Sequence, residues 1–330
     1  MPLRKSIVSN PTVVDLFSGA GLLSYAFLRE GFSVVRAIEW ERIAAETYAH
    51  NLGPHVECED VRKVTPSGRC DVLVAGPPCQ GFSTLNQQRT GDRRRTLTLE
   101  VARWASVLRP KIVVVENVAN FVGTYTWKNL VRRLEALGYN VTFVKCNALD
   151  FGVPQRRLRS FTFASKIGDP DVIPLRFSSV RNVAEAWDGL PKFPDGKNNH
   201  FAPTPSELTL KRFCHIPYGG DKRDVMRHAP ELAPPSWWSV GCEATDVWGR
   251  MTWESPSNTL RTNLYNPSKG RYVHPEQNRV ISLREAARLH SISDSWEFVG
   301  KHTQVARQIG NSVPPRLGRA VARAVYRFFV

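Results

Sequence analysis

Short apolar runs alternate with helix-like stretches through the first half of the chain. The apolar runs are typical of strands and lie at residues 12–17, 33–38, 70–75, 111–115, 141–146 and 159–164. Helical periodicity fills several of the spaces between them, at residues 22–30, 42–50, 97–108 and 127–137. Strands that alternate with helices predict a parallel sheet with helices on both faces. We therefore expect an α/β fold built on a mostly parallel sheet.

The alternation stops near residue 169. Prolines, glycines, tryptophans and short polar stretches dominate from there to about residue 270, which predicts a second, irregular region. Helical spacing of apolar residues returns at 282–290 and again at 315–330. We expect this C-terminal part to pack back on the first domain.

The charge balance indicates a class of partner. The 330 residues carry 45 lysines and arginines against 30 acidic residues, a formal net charge of +15. Such an excess favours a polyanionic partner, with nucleic acid as the first candidate, although a genome that prefers arginine would give the same balance.

Cysteine usage and the N-terminus indicate the compartment. None of the six cysteines forms a C-x-x-C pair, so neither a zinc ribbon nor a thioredoxin-type motif is indicated, and a disulfide scaffold does not fit this length. The basic N-terminus lacks the apolar stretch of a signal peptide, and no run approaches the roughly 20 apolar residues of a membrane helix. These features predict a cytoplasmic protein with reduced thiols, associated with the nucleoid if its partner is DNA.

A glycine turn follows the first predicted strand, at the sheet edge where ligands bind in open α/β folds. The stretch DLFSGAG at residues 15–21 leads into a helix, and Gly19 and Gly21 let a ligand approach the backbone there. Glu39 follows the second strand, about 20 residues beyond the turn, where an acidic side chain can bind ribose hydroxyls. This spacing predicts a nucleoside-containing cofactor.

Two aromatic residues and a second carboxylate extend that prediction. Phe17 and Trp40 could sandwich an adenine, and Asp60, near the end of a third strand-like piece, could accept a hydrogen bond from its amino group. Either aromatic could instead be ordinary core, and a glycine turn can bind nothing at all. Leu22 stands where the dinucleotide fingerprint has its third glycine, which argues against NAD.

A cysteine follows two prolines beyond the strand-like run at 70–75. Within the strand Cys79 would be buried and inert, whereas the stem of Pro77 and Pro78 presents its thiol at the sheet edge. Glu116 emerges from a neighbouring strand, where desolvation can keep a carboxyl protonated so that it acts as an acid. Thiols become nucleophiles when their surroundings favour the thiolate, so this pair predicts nucleophilic catalysis.

The spacing of Gln155, Arg157 and Arg159 places three polar side chains on one face of an extended segment. Two arginines on one face suit an electron-rich ring or a carboxylate. A solvated basic face is the alternative interpretation of the same spacing.

Together these stretches resemble the DNA cytosine-5 methyltransferase family. The matching segments, in chain order, are DLFSGAGL at 15–22, GPPCQGFS at 76–83, ENV at 116–118, Q-x-R-x-R at 155–159, REAARL at 284–289 and QIGNSVPP at 308–315. The resemblance implies a Rossmann-like fold of the S-adenosylmethionine-dependent methyltransferases. It also implies that residues 1–168 and 300–330 form the catalytic and cofactor-binding domain, and that residues 169–299 form a target-recognition domain and hinge.

The resemblance implies a reaction as well. Cys79 would attack C6 of a cytosine flipped out of a specific duplex DNA sequence, and Glu116 would engage N3 and the exocyclic amine of the base. Arg159 would contact O2, and Arg157 would support Glu116 and the loop. C5 would then take a methyl group from S-adenosylmethionine, a base would remove the C5 proton, and the thiol would be expelled. No metal is expected.

Further site residues follow from the same resemblance. The residues expected to bind the cofactor are Phe17, Gly19, Gly21, Glu39, Trp40, Asp60, Pro78, Asn311 and Ser312. Those expected to contact DNA are Gln80, Ser83, Arg89, Arg94, Arg95, Gln155 and Arg261. Several of these lie in residues 81–96, a mobile loop that closes over DNA in the family and whose arginines would meet phosphates. The recognition-region residues that could reach base edges are Lys211, Arg212, Trp237, Trp238, Arg250, Arg261 and Arg271.

Three other functions fit the sequence less well. A tRNA-methylating relative usually carries a Cys-Phe-Thr triplet, and neither Cys214 nor Cys242 begins one. A nucleotide-dependent dehydrogenase would leave Cys79, Glu116 and Arg159 without a role. An inactive DNA-binding regulator would be expected to have lost at least one of the site residues.

The family pattern also bears on the source of the chain and its partners. Leu22 replaces a commoner glycine, and residues 292–294 replace the usual FPD, but neither position carries chemistry. The lack of a long N-terminal regulatory region indicates a small prokaryotic or viral modification enzyme. We expect a monomer that acts on double-stranded DNA, either alone or beside a cognate restriction endonuclease.

Overall fold

The computed structural model describes residues 10–78, 97–168, 180–239 and 246–329. Within these ranges one sheet contains β1 (Thr12–Leu16), β2 (Ser33–Glu39), β3 (Val56–Cys58), β4 (Val72–Ala75), β5 (Ile112–Val118), β6 (Asn140–Asn147) and β7 (Leu158–Ser165). The helices that alternate with the strands are α1 (Leu22–Leu28), α2 (Arg42–Leu52), α3 (Glu100–Leu108) and α4 (Tyr125–Ala136). The predicted α/β alternation is confirmed.

The strand order is β3-β2-β1-β4-β5-β7-β6. Strands β1 to β5 pair in parallel, whereas β7 runs antiparallel to both β5 and β6. The reversal arises because β6 returns into β7 through a 3₁₀ turn at Ala148–Phe151 rather than through a crossover helix. Between β1 and β4 the chain changes the direction in which it adds strands, and ligands bind beside such a point in open α/β sheets.

Strand β5 is longer than the sequence predicts. Its ladder with β7 continues past residue 115 and pairs Glu116 with Phe161 and Val118 with Arg159. Glu116 therefore lies inside the strand rather than after its end. The antiparallel register carries Arg159 to the same edge of the sheet.

Two apolar clusters cover the two faces of the sheet. One face, with Val13 and Phe163, packs against α1 and against α11 (Pro315–Tyr326), the last helix of the chain. The other face, with Leu73, packs against α3 and α4. The C-terminal helix thus lies on the sheet built by the first half of the chain.

The irregular region contains short helices and isolated bridges in its described residues. Its helices are α5 (Val183–Trp187), α6 (Glu207–Cys214), α7 (Lys222–His228) and α8 (Pro235–Ser239). A separate cluster around Phe213 and Trp248 forms the core of this region. Beyond it, α9 (Leu283–Leu289) and α10 (His302–Asn311) pack together with Leu22 at the start of α1. Across the described ranges, we find no helix with the length and apolarity that crossing a bilayer requires.

Candidate active site

The turn after β1 is held in an unusual backbone conformation. Phe17, Gly19 and Gly21 all have positive φ, at 59°, 55° and 91°. Such a conformation strains Phe17, which has a side chain, and favours glycine at the other two positions. A Cβ on Gly21 would lie 2.7 Å from the ring of Tyr48 and 2.9 Å from Leu52, so α2 packs directly on this turn.

Glu39 ties the end of β2 to the glycine turn. Its two carboxylate oxygens accept hydrogen bonds from the backbone N–H groups of Gly19 and Glu41, each at 2.7 Å. Burial raises the pKa of Glu39, and the bonds from Glu41 and Gly19 oppose that rise. The structure therefore brings together Glu39 and the turn, as the sequence predicts.

The other predicted cofactor residues near β2 have contrasting surroundings. The side chain of Trp40 is 74% exposed at the sheet edge, which leaves a large aromatic surface uncovered. Asp60 is ion-paired with Arg62, and the hydrogen bond from Arg62 lowers the pKa of Asp60. An exposed tryptophan beside the turn is an available stacking surface.

Asp15 is a buried carboxyl group that the sequence analysis did not single out. Its side chain is 1% exposed, and the Ser24 hydroxyl donates to Oδ2 at 2.6 Å. Burial, with a smaller effect of the Glu39 charge, raises the pKa of Asp15 to about 7. Oδ1 is buried and has no hydrogen-bond partner within the described ranges. The signal was present in the sequence, because Asp15 interrupts an otherwise apolar strand.

The stem that leads to Cys79 is attached to two strands. The Gly76 N–H donates to the Leu16 carbonyl at 3.2 Å, and the Asn117 side-chain amide donates to the Pro77 carbonyl at 3.3 Å. A Cβ built on Gly76 would lie 3.8 Å from Glu116 Oε2 and 3.9 Å from the Phe17 carbonyl. The stem therefore passes between the glycine turn and the Glu116 carboxyl.

Several predicted residues lie outside the described ranges. They are Cys79, Gln80, Ser83, Arg89, Arg94 and Arg95, all within residues 79–96. The stem ends in the described residue Pro78, which is half-buried.

Glu116 and Arg159 form an ion pair next to this stem. Arg159 Nε lies 3.1 Å from Glu116 Oε1, and the two side chains are 13% and 11% exposed. Burial raises the pKa of Glu116, while the positive charges of Arg159 and Arg157 act against the rise. The resulting carboxyl group gains a proton more readily than an exposed one does.

Gln155 and Arg157 are buried supports rather than surface groups. Gln155 is 0% exposed, accepts from the Leu260 N–H at 3.1 Å and donates to His290 Nδ1 at 3.0 Å. Arg157 is 1% exposed and donates to the carbonyls of Leu260, Gly310 and Ser312 at 2.8 to 3.0 Å. Both residues thus join the segment just before β7 to distant segments of the chain.

These positions revise part of the sequence interpretation. Gln155 has no exposed surface, so the predicted DNA contact does not fit this arrangement. Arg157 faces the interior beside Glu116, where its charge acts on that carboxyl, but its guanidinium also braces α10. Arg159 pairs directly with the Glu116 carboxylate.

The end of α10 supplies the last predicted cofactor residues. Asn311 is exposed at the end of this helix. The Ser312 hydroxyl donates to the Ile309 carbonyl at 2.9 Å. His290, which the sequence analysis missed, donates from Nε2 to the Ser312 carbonyl at 3.0 Å. Its position after α9 gave no local signal, since the contact depends on the packing of α9 against α10.

Two of the basic residues predicted to reach base edges, Arg212 and Arg250, hold the irregular region together. Arg250 is 5% exposed and donates to the carbonyls of Phe213 and Ile216, among others. The Arg212 guanidinium lies 5.3 Å from the ring centroids of both Trp237 and Trp248.

The remaining candidates for base contact are two arginines bonded within the region and two side chains that are more exposed. Arg271 donates to the carbonyls of Gly219, Gly220 and Arg250. Arg261 donates to the Lys269 carbonyl and to Asp246, with its side chain 41% exposed. Two side chains present more surface than these, since Lys211 is 59% exposed and Trp238 is 55% exposed.

Comparison with known proteins identifies related chains. A family model described as C-5 cytosine-specific DNA methylase matches residues 11–202 and 221–327. The type II methylase M.HgiDII of Herpetosiphon aurantiacus is 32% identical over 96% of this chain and 95% of that protein. The type II methyltransferase M1.HphI of Haemophilus parahaemolyticus is 33% identical over 96% of this chain and 87% of its own length.

Solved structures share the fold. An E. coli protein assigned as a DNA modification methyltransferase encoded within a prophage superposes with a TM-score of 0.74 at 23% identity, covering 97% of this chain and 99% of that one. The Entamoeba histolytica methyltransferase EhMeth superposes with a TM-score of 0.71 at 16% identity, with the same coverage of both chains.

Proposed function

Because the chain belongs to the family of C-5 cytosine-specific DNA methylases, and is therefore a DNA cytosine-5 methyltransferase, we propose that it modifies a cytosine within one specific duplex sequence as a type II modification enzyme. The observation that carries the proposal is the buried Glu116–Arg159 pair beside the Pro77 stem. The names of the curated relatives support a role in restriction and modification, with a cognate endonuclease as the functional partner.

S-adenosylmethionine is the methyl donor that we propose, and the described residues fit it. The buried Oδ1 of Asp15 has no partner among them, the ring of Trp40 is uncovered, and Glu39 anchors the glycine turn between the two. We assign its binding to Phe17, Gly19, Gly21, Glu39, Trp40, Asp60, Pro78, Asn311 and Ser312. When bound, it supplies an electrophilic methyl group.

The protein's own groups can activate the cytosine. We propose that the Cys79 thiolate adds to C6, which forms an S–C6 bond and moves the ring electrons toward N3. Glu116, whose pKa is raised by burial, gives N3 a proton, and Arg159 donates to the base O2. C5 is then nucleophilic and can be methylated. Removal of the C5 proton by a base expels the thiolate, and N3 returns its proton to Glu116, so that the enzyme is restored.

DNA binding follows from charge and from the cost of exposing the base. Flipping the cytosine out of the duplex costs a few kcal/mol, which contacts to the rest of the site must offset. The net charge of +15 and the arginines at 89, 94 and 95 favour phosphate contacts, so binding is expected to weaken steeply with salt.

A mechanism-based substrate tests this proposal. Fluorine at C5 cannot leave as a proton does, so duplex DNA carrying 5-fluorocytosine should trap a covalent adduct with the protein in the presence of S-adenosylmethionine. We expect the adduct to survive denaturation and to be absent from the Cys79→Ser variant, which should still bind DNA. If the wild-type protein methylates cytosine at a site but forms no adduct when 5-fluorocytosine replaces that cytosine, the proposed nucleophile would be contradicted.

The polymer substrate is tested separately. With labelled S-adenosylmethionine, we expect methyl transfer to duplex DNA and not to tRNA. Transfer to tRNA alone would overturn the assignment of DNA as the substrate.

A further inference from the structure

A chain of hydrogen bonds runs from the protein surface to Asp15 beneath the glycine turn. Ser24 Oγ lies 2.6 Å from Asp15 Oδ2, Tyr48 Oη lies 3.0 Å from Ser24 Oγ, and His55 Nε2 lies 2.9 Å from Tyr48 Oη. Asp15, Ser24 and Tyr48 are buried, and His55 is half-buried. The chain thus links β1, α1, α2 and the segment before β3.

The three links have one direction. An ionised carboxylate only accepts hydrogen bonds, so the Ser24 hydroxyl donates to Asp15. Each hydroxyl has a single proton, so Ser24 accepts from Tyr48, and Tyr48 accepts from the N–H of His55. Donors arranged in series polarise one another, which strengthens the last bond. The chain therefore favours negative charge on Asp15.

Burial opposes this effect of the hydrogen-bond chain. Burial is the largest of the influences that raise the pKa of Asp15 to about 7, and the Glu39 charge raises it further. Glu39 on β2 is the charged group that acts on Asp15 within the described ranges, and Tyr48 on α2 is the other titratable neighbour. On β4 the residue paired with Asp15 is Val74, and on α1 the contact is Ser24. Asp15 therefore titrates near neutral pH.

Protonation of Asp15 changes what it can bind. Oδ1 is buried, and among the described residues none donates a hydrogen bond to it. As part of a carboxylate, this oxygen can accept from a cationic donor at the sheet edge, whereas a neutral carboxyl group attracts a cation far less. S-adenosylmethionine carries a sulfonium and an ammonium group, so its affinity should depend on the charge of Asp15.

We propose that His55, Tyr48 and Ser24 act as positioning residues that hold Asp15 as a carboxylate and so set the pH range over which the cofactor binds. This inference rests on the proposed use of S-adenosylmethionine. Tyr48 is the central member, because it joins the half-buried histidine to the buried serine and its ring also packs against the Gly21 turn.

Binding of S-adenosylmethionine to the DNA-free protein, measured by calorimetry from pH 6 to pH 8.5, tests the proposal. For the wild type we expect Kd to rise about tenfold between pH 8 and pH 6, as Asp15 gains its proton. Tyr48→Phe keeps the ring but removes the donor to Ser24. It should move the midpoint of the profile upward by about half a pH unit to one unit and leave Kd within about twofold at pH 8.5.

Tyr139→Phe is the matched control. Tyr139 is also a buried tyrosine, and its hydroxyl donates to the Pro110 carbonyl at 2.7 Å, at the opposite end of the sheet from the glycine turn. This variant should keep the wild-type midpoint. Asp15→Asn should remove the pH dependence, because it removes the titrating group.

Three results would separate the possible failures. If Tyr48→Phe kept the wild-type midpoint of the pH profile, or lost affinity equally at every pH, the proposed role of the hydrogen-bond chain would be overturned. An Asp15→Asn profile that keeps the inflection would assign the titration to another group, such as Glu39, and would also overturn the inference. A wild-type protein that binds no S-adenosylmethionine at any pH would instead refute the proposed cofactor itself.

Discussion

Two carboxyl groups at the carboxyl edge of the sheet, Asp15 and Glu116, are buried, and burial raises the pKa of each. They differ in the group that opposes this shift. Glu116 faces the Arg159 guanidinium at 3.1 Å, whereas Asp15 accepts from the neutral Ser24 hydroxyl at 2.6 Å. If the Arg159 guanidinium bonds to a cytosine base instead, its positive charge no longer stabilises the Glu116 carboxylate. Binding of the base would therefore promote protonation of Glu116.

Replacing the Glu116 carboxyl tests its role as an acid. Glu116→Gln keeps the shape of the side chain but cannot deliver a proton to the base, so we expect the rate of methyl transfer in a single turnover to fall by about 10²- to 10⁴-fold. For the wild type, the same rate should fall as pH rises through the raised pKa of Glu116, because the acid is lost.

Glu46→Gln is the control for this substitution. Glu46 is a partly exposed residue of α2 paired with Arg42, so its loss should leave the rate unchanged. Equal rates in Glu116→Gln and the wild type would contradict the assignment of Glu116 as the acid.

At the scale of the elements, α10 and the segment around Leu260 touch without side chains between them. A Cβ on Gly310 would lie 2.6 Å from the backbone of Arg261 and Thr262. Arg157 stabilises the same contact, because its guanidinium donates to the carbonyls of both Leu260 and Gly310. The end of α10 therefore lies directly against this segment, and Arg157, just before β7, is bonded to both.

Gly310→Ala should separate these two segments. The new methyl group would meet backbone atoms that have no alternative rotamer, so we expect a loss of about 1–3 kcal/mol in the free energy of unfolding. Methyl transfer should also slow, since Asn311 and Ser312 directly follow Gly310. Thr303→Ala on the exposed side of α10 should change neither quantity in denaturation and rate measurements. Wild-type stability in Gly310→Ala would show that the segments can move apart freely.

The sequence predicted the elements well because their signals are local. Period-two spacing predicts that Gln155 and Arg157 share one side of an extended segment, and both are buried while Arg156 and Leu158 are exposed. It did not reveal what that side faces. The partners of Arg157 at Leu260 and Gly310 are 103 and 153 residues away along the chain, so only the packed fold determines whether this face meets DNA or protein.

The same limit explains the basic residues of the irregular region. Charge and aromatic content suggested base contacts for Arg212 and Arg250, yet both arginines donate to nearby carbonyls and pack in the region's own core. A small core with few strands needs donors for its buried carbonyls, and arginine supplies several from one side chain. Composition cannot separate that use from recognition of DNA.

At the scale of the whole molecule, ion pairs connect the end of α1 to α11, the first and last helices that pack on the sheet. Glu30, just after α1, accepts from Arg319 at 2.7 Å and from Arg323 at 3.0 Å, both on α11. Burial alone would raise the pKa of Glu30, but the hydrogen bonds from Arg323 and Arg319 outweigh it and lower the pKa. The pairs therefore stabilise the fold above the ordinary glutamate pKa, and this stability is lost as pH falls through the lowered value.

Glu30→Gln should expose that contribution. We expect the free energy of unfolding to decrease by about 1 kcal/mol at pH 7, because the two partners are partly exposed arginines, and the difference from the wild type to vanish in strong acid. Glu207→Gln removes an exposed pair with Lys211 within α6 and should have almost no effect in the same denaturant titrations. A difference for Glu30→Gln that stayed constant down to pH 2 would contradict the ionic origin of the effect.

The position of α11 at the end of the chain has a consequence for synthesis. The sheet face that contains Val13 and Phe163 is covered partly by α11, whose last residue, Tyr326, emerges from the ribosome long after β7 ends at Ser165. At translation rates of 5–20 residues per second, the part of that face that α11 covers stays exposed for roughly ten to thirty seconds after β7 has been synthesised. A nascent chain with a finished sheet and no final helix is therefore a natural client for chaperones.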